Sequence, residues 1–394
     1  MSSTAEGPVL RRDRTGRRAP RSRTDPFPRR SASRWILRLA LSAPLIALAV
    51  VLDLVPHAAT APNATLLADL AEIDWTRGDA EWLALLYPHV SILVAASNPL
   101  GRLGLSLVGA IAAGILLQKV AEIISQRSIP RSTGIILVIA LAANPLFAYF
   151  ALENLPGFLA MTFFGLALAD LVRFVNWGNT ESGFRAGILL MVAAFCDPSG
   201  ILYALVAMLA APFLRHGRAW APGLRAANML VIAFPTLGAF ATIAFLNLLF
   251  FGTPWPDQDL AEVFAGIPQA FTGLLTLYTT PTGWLMAAPV VSAWLVAVIV
   301  RRPAAILVSG IVFVLLNAAF LLGAFHPGAA GVTFTLLTLL AITLIPSART
   351  PLTNVLVDLV AVLQIAIAWA AALDRTIVLE WMEAVADAWV TLLG

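Results

Sequence analysis

Apolar residues run along this chain in long unbroken stretches. They show neither the two-residue alternation of half-buried strands nor the narrow stripe of helices on a soluble core. Stretches near the length that crosses a hydrocarbon core as a helix fall at 35–55, 101–121, 133–152, 156–174, 184–196, 200–214, 226–250, 283–300, 303–323, 328–346 and 353–373. The expected fold is therefore an all-α polytopic membrane protein with about eleven transmembrane helices. Several stretches are interrupted, at Asn144-Pro145, Asp197-Pro198, Pro235, Pro289 and Asn317. In lipid such breaks need neighbouring helices or a cavity to satisfy the backbone groups they free.

One stretch departs from this pattern. Residues 66–100 collect Asp69, Glu72, Asp74, Asp79 and Glu81, five of the chain's 22 acids, with Arg77, two tryptophans and a Tyr87-Pro88-His89 turn. The acids are too costly to place in hydrocarbon, at roughly 2.5–3.5 kcal/mol each at the bilayer centre on insertion scales. An outer acidic loop with short interfacial helices is expected there. The apolar run from Leu83 to Leu100 carries Pro88 and Pro99 and is marginal for a crossing, so it is expected to be re-entrant or interfacial. A second outer loop, 251–282, predicts a short helix lying on the membrane with Asp257, Asp259 and Glu262 exposed. Residues 374–394 set Ile377, Leu379, Trp381, Met382, Val385, Trp389 and Leu392 among acids and predict an amphipathic C-terminal helix.

Charge orients the array. The 394 residues are 60% hydrophobic and 12% charged, with a mean hydropathy of +0.87, far from soluble composition, in which about a quarter of residues are charged. Residues 1–34 hold ten arginines with Pro, Ser and Thr, a composition expected to be disordered. Lys119, Arg127 and Arg131 share one connector; Arg173 and Arg185 another; Arg215, His216, Arg218 and Arg225 a third; then come Arg301 with Arg302, and Arg349. The connectors between them, 153–156, 197–200, 251–282 and 325–328, hold no Lys or Arg. By the positive-inside rule the N-terminus is cytoplasmic and the expected location is the cell (inner) membrane.

Familiar catalytic signatures do not occur. There is no Walker A motif, H-E-x-x-H or G-x-S-x-G. One cysteine, Cys196, excludes a disulfide within the chain, and His57, His89, His216 and His326 are scattered. Charges inside apolar stretches are few: Asp53, Asp170 and Asp358. That is little material for the ionisable relay of a proton-coupled transporter.

The order of features resembles the GT-C-fold membrane glycosyltransferases over most of residues 35–346. Their first span, acidic outer loop and Tyr-Pro-Pro-Leu turn are matched by Tyr87-Pro88-His89-Val90. Their Arg-containing connector is matched by Gly101-Arg102, and their Asn-Pro at a span's end by Asn144-Pro145. A later N-x-x-x-F-G-x-P phrase is matched by Asn247-Leu-Leu-Phe-Phe-Gly252-Thr-Pro254. An LL…P-x-G-x-L…P phrase is matched by Leu274-Leu275, Pro281, Gly283, Leu285 and Pro289. The chain departs from the family in having no adjacent Asp-Glu or Asp-Asp pair in its first loop. It also has no arginine in His326-Pro-Gly-Ala-Ala-Gly331.

The resemblance implies sugar transfer from a polyprenyl-phosphate donor to an acceptor at the outer face. A first-loop carboxylate acts as base within hydrogen-bond reach of the acceptor hydroxyl. Asp74 and Asp79 rank first for that role, then Asp69 and Glu81. Glu72 shares a helical face with Asp69. Arg77 is the cation for the lipid phosphate, with Tyr87, His89 and His326 as further substrate contacts. Hard carboxylate oxygens suit Mg²⁺ or Mn²⁺ as the metal this chemistry admits. The departures keep a second reading open, a non-catalytic GT-C-like subunit or scaffold whose partner is another membrane protein. A third is a transporter of a lipid-linked molecule. Nucleic acid is not an expected partner.

Overall fold

The computed structural model describes residues 26–54, 61–76, 87–126, 131–177, 179–211, 224–254, 260–323, 331–344 and 350–393. Every element among them is a helix: α1 Ser31–Leu52, α2 Pro62–Glu72, α3 His89–Ala96, α4 Gly101–Gln126, α5 Arg131–Ala142, α6 Pro145–Glu153, α7 Leu155–Trp177 and α8 Thr180–Cys196. There follow α9 Ser199–Ala210, α10 Leu224–Phe251, α11 Leu260–Tyr278, α12 Pro281–Ile299, α13 Pro303–Leu321, α14 Val332–Leu344, α15 Pro351–Leu373 and α16 Thr376–Leu393. Long apolar runs take this form because hydrocarbon offers no partner for a backbone N–H or C=O, and a helix satisfies both internally.

Seven of these helices, α1, α4, α7, α10, α12, α13 and α15, are long and apolar enough to cross a membrane. The number rises to eight if α5 and α6 form one span. The protein is an all-α, multi-pass membrane protein. The sequence pattern counted eleven crossings, and the difference lies in α8, α9 and α14, described over 17, 12 and 13 residues. The stretch 133–152, read from sequence as one span, is two helices bent by 52°. Pro145 has no N–H to continue the ladder and pushes the residue before it out of the helical region. Asn144 accordingly sits at φ −105°, ψ 127° and caps α6, its Oδ1 accepting from Leu146 N at 2.8 Å.

α4 and α7 form the centre. Phe147, Phe150, Phe158 and Phe164 are fully enclosed around them. Helices in lipid pack through small residues that let backbones approach. A Cβ on Gly109 would overlap the Ala151 carbonyl, and one on Gly114 would overlap Ser42 of α1. In contrast α10 leaves Leu230, Phe234, Leu237, Phe245 and Leu249 exposed, as a helix facing acyl chains does.

The bundle has two chemically different ends. α4 carries Arg102 in its first turn and Glu122 near its other terminus, about 30 Å away at 1.5 Å per residue. At the Glu122 end, Glu122 accepts from Lys119 at 3.0 Å and Arg173 at 2.9 Å. Asp170 accepts from Arg173 at 2.9 Å and Arg185 at 2.8 Å. Arg38 and the Phe27 carbonyl join through Gln118. The sequence pattern put Asp170 near this end and gave no hint that it binds two arginines. The Arg102 end carries the candidate site.

Candidate functional site

The first-loop helix is fixed by one buried amide. Pro62 opens α2, and Asn63, fully buried, donates to Leu152 O at 2.8 Å and accepts from Leu155 N at 2.7 Å. It thereby bridges the join between α6 and α7, where the first backbone N–H of a helix has no partner in its own chain turn. Ser106 Oγ donates to the same Leu152 carbonyl at 2.7 Å. From this anchor α2 carries Asp69 and Glu72 on its exposed side, and Asp74 follows, also exposed. Asp74 Oδ1 accepts from Thr76 N at 2.9 Å and Thr76 Oγ1 at 2.7 Å, a local side-chain turn. Arg77, Asp79, Glu81 and His326 lie outside the described residues.

Tyr87 and His89 are brought together. Their rings meet edge-to-face at 5.7 Å, and His89 meets Phe195 of α8 in the same manner at 5.5 Å. Tyr87 Oη donates to Ala194 O at 3.2 Å and Ser91 Oγ to Cys196 O at 2.6 Å. These two hydroxyls satisfy carbonyls that the end of α8 leaves open, so the eight-residue α3 is strapped to the α8–α9 turn. In that turn Asp197, 5% exposed, accepts from Ser199 N at 2.8 Å and caps α9. Burial pushes the Tyr87 phenol up, with Asp197 adding to it, and burial lowers the His89 imidazole. Burial therefore favours the neutral form of His89, a ring packed between Tyr87 and Phe195.

Glu153 closes α6. It is 2% exposed and pairs with Arg102 at 2.6 Å, joining the start of α4 to the end of α6. One turn below it Tyr149 packs edge-on to Trp381 of α16 at 5.8 Å. A cavity of about 400 Å³ lies beside α6, walled by Leu146, by α11 to α15 and by Ile377 at the start of α16. Its lining is apolar except for Tyr278, Asn317, Thr282, Thr333 and the adjoining Asp374 and Arg375. Tyr278 Oη donates to Asn317 Oδ1 at 2.7 Å, and Asn317 Nδ2 donates to Phe313 O at 2.8 Å.

The structure therefore gathers some of the sequence candidates and leaves others apart. Tyr87 and His89 touch, while Asp69 and Asp74 are solvent-exposed, on and after α2. Among the described residues no three His, Cys, Asp or Glu side chains stand close enough to hold a metal ion, so no chemical step is routed through one. Sequence reasoning missed Asn63, the Arg102–Glu153 pair and the C-terminal helix as a wall of the cavity. An acid at the end of an apolar run was the visible signal for Glu153; its partner, 51 residues earlier, was not. α11, expected as a short helix, spans 19 residues. No family model, no curated protein and no solved structure matches this chain.

Proposed function

We propose that the protein is a membrane glycosyltransferase of GT-C-like architecture. It moves a sugar from a polyprenyl-phosphate donor to an acceptor at the outer face of the cell membrane, with the N-terminus cytoplasmic. In this reading α8, α9 and α14 contribute to the remaining crossings, and the Arg102 end faces outward. The observation that carries the proposal is the make-up of that end. Exposed carboxylates, Asp69 and Asp74, sit on a short helix that Asn63 holds rigidly to the centre of the bundle. A cavity of about 400 Å³ opens beside α6. Helices such as α10, α12 and α15 keep large apolar side chains exposed, so a lipid-linked donor approaches the carboxylates sideways through the bilayer, with its own chain outside the cavity.

In the transfer step the acceptor hydroxyl attacks the anomeric carbon as its proton passes to a first-loop carboxylate. The bond from that carbon to the phosphate oxygen breaks, and the polyprenyl phosphate leaves with the electron pair. General-base catalysis supplies about 10²–10⁴-fold in rate. Asp69→Asn, Asp74→Asn, Asp79→Asn and Glu81→Gln, each assayed as purified protein with a lipid-linked sugar pool, identify the base by a loss of that order in one variant. Wild-type transfer in all four removes the enzyme reading. A non-catalytic subunit then takes its place, favoured by the commitment of Asp74 Oδ1 to the Thr76 turn. Its test is a membrane partner that co-purifies with the chain.

A further inference from the structure

The cavity has a rim whose charges the transferase reading does not use. Asp374 caps the C-terminus of α15 and with Arg375 forms the link to α16, so both stand where the chain leaves the apolar run of α15. Both line the cavity, and neither makes a side-chain hydrogen bond or ion pair with another described residue. Deeper in, the one polar pair is already satisfied, since Tyr278 and Asn317 bond to each other and Asn317 to Phe313 O. The walls ask for hydrocarbon and the rim asks for two opposite charges. At about 400 Å³ the space is that of a small-molecule site, roughly 300–1,000 Å³, enough for a head group and part of one acyl chain with the rest of the lipid outside.

Charge decides which lipid fits. A polyprenyl phosphate brings only negative charge: Arg375 attracts it and Asp374 opposes it. The two form the short link between α15 and α16, so a compact anion held at Arg375 meets the like charge of the neighbouring Asp374 carboxylate. A head group that carries a phosphate and an ammonium a few atoms apart can engage both. A primary ammonium also gives N–H donors to the Asp374 carboxylate, which a quaternary one cannot. We propose that this cavity is a binding site for one zwitterionic phospholipid with a primary-ammonium head, its chain among α12 to α15 and its phosphate at Arg375. The inference does not rest on the transferase reading and holds equally for a non-catalytic subunit.

The test uses the full-length protein in nanodiscs of equal phosphatidylethanolamine, phosphatidylglycerol and phosphatidylcholine. It is then released into detergent, and retained lipid is counted by native mass spectrometry. Phosphatidylethanolamine is expected to stay selectively. Asp374→Asn, at an exposed position, lowers its preference over phosphatidylglycerol by about tenfold, the scale of one charge-assisted hydrogen bond. Arg375→Gln lowers retention of every phospholipid, and Ala371→Phe narrows the cavity and lowers retention while leaving both charges. Retained lipid that mirrors the bulk mixture, phosphatidylcholine held as firmly as phosphatidylethanolamine, or unchanged selectivity in Asp374→Asn overturns the proposal. So does displacement of phosphatidylethanolamine by added polyprenyl phosphate, which would make the cavity the donor's seat.

Discussion

Asn63 shows how much a single side chain decides at the Arg102 end. Its carboxamide supplies one donor and one acceptor, and both are used on the backbone where α6 gives way to α7. The Leu152 carbonyl has a second donor in Ser106, but the Leu155 N–H is given no other partner. Asn63→Ala therefore strands a buried N–H, at a cost of about 1–3 kcal/mol, and frees α2 from its seat. We expect a lower thermal midpoint in detergent and a large loss of any first-loop activity, although Asn63 lies away from the acids themselves. An unchanged midpoint would show that α2 is held by its apolar contacts, Leu66 and Ile73 among them. Asp74, ranked high from sequence, teaches the converse. Its position in an acidic loop was legible, while its engagement by Thr76 depended on a backbone turn.

At the scale of elements the most informative feature is the break between α5 and α6. A continuous helix would have carried Leu146, Tyr149 and Glu153 past the end of the bundle along the line of α5. The 52° bend turns them inward, so that Leu146 walls the cavity, Tyr149 meets Trp381 and Glu153 meets Arg102. The bend has two local causes, the missing N–H of Pro145 and the Asn144 cap. Asn144→Ala removes the acceptor for Leu146 N and should cost about 0.5–2 kcal/mol. Thermal denaturation of the purified variant measures it. A wild-type midpoint would assign the bend to Pro145 and tertiary packing alone. The eight-residue α3 illustrates the same logic, since its hydroxyls close carbonyls at the end of a different helix.

For the whole molecule the decisive contrast is between the two ends. The Glu122 end binds its acids with Lys119, Arg173 and Arg185; along the sequence the connectors at 127–131, 215–225 and 301–302 are rich in arginine. The Arg102 end presents Asp53, Asp69, Glu72, Asp74 and Asp374 exposed. Because cation-rich connectors stay in the cytoplasm, the Glu122 end should face inward. A single cysteine placed at Asp259 should react with an impermeant thiol reagent in intact cells, and one at Arg131 should not. Cys196 is buried and contributes no background. The reverse labelling pattern would invert the molecule and move the acids of the first loop to the cytoplasm.

By itself the sequence determined the class of protein and the places where its helices stop. Runs of apolar residues too long for a soluble core leave no alternative to helices in lipid, and Pro145, Pro198 and the acids of residues 66–81 mark breaks because their effect on the backbone is local. Span number was less legible. A hydropathy run records how many apolar residues follow one another, whereas a crossing needs a continuous helical rise, and α8, α9 and α14 fall short of that length as described. Pairing was not legible at all. Arg102 with Glu153, Asn63 with the α6–α7 join and the cavity wall that α11 to α16 build with Leu146 each bring together groups or walls from separate helices. Nothing in a linear pattern fixes which helix stands next to which. That choice belongs to close backbone packing at Gly109 and Gly114, to the turn of α6 and to the burial of Trp381. Those interactions exist only once the bundle has formed.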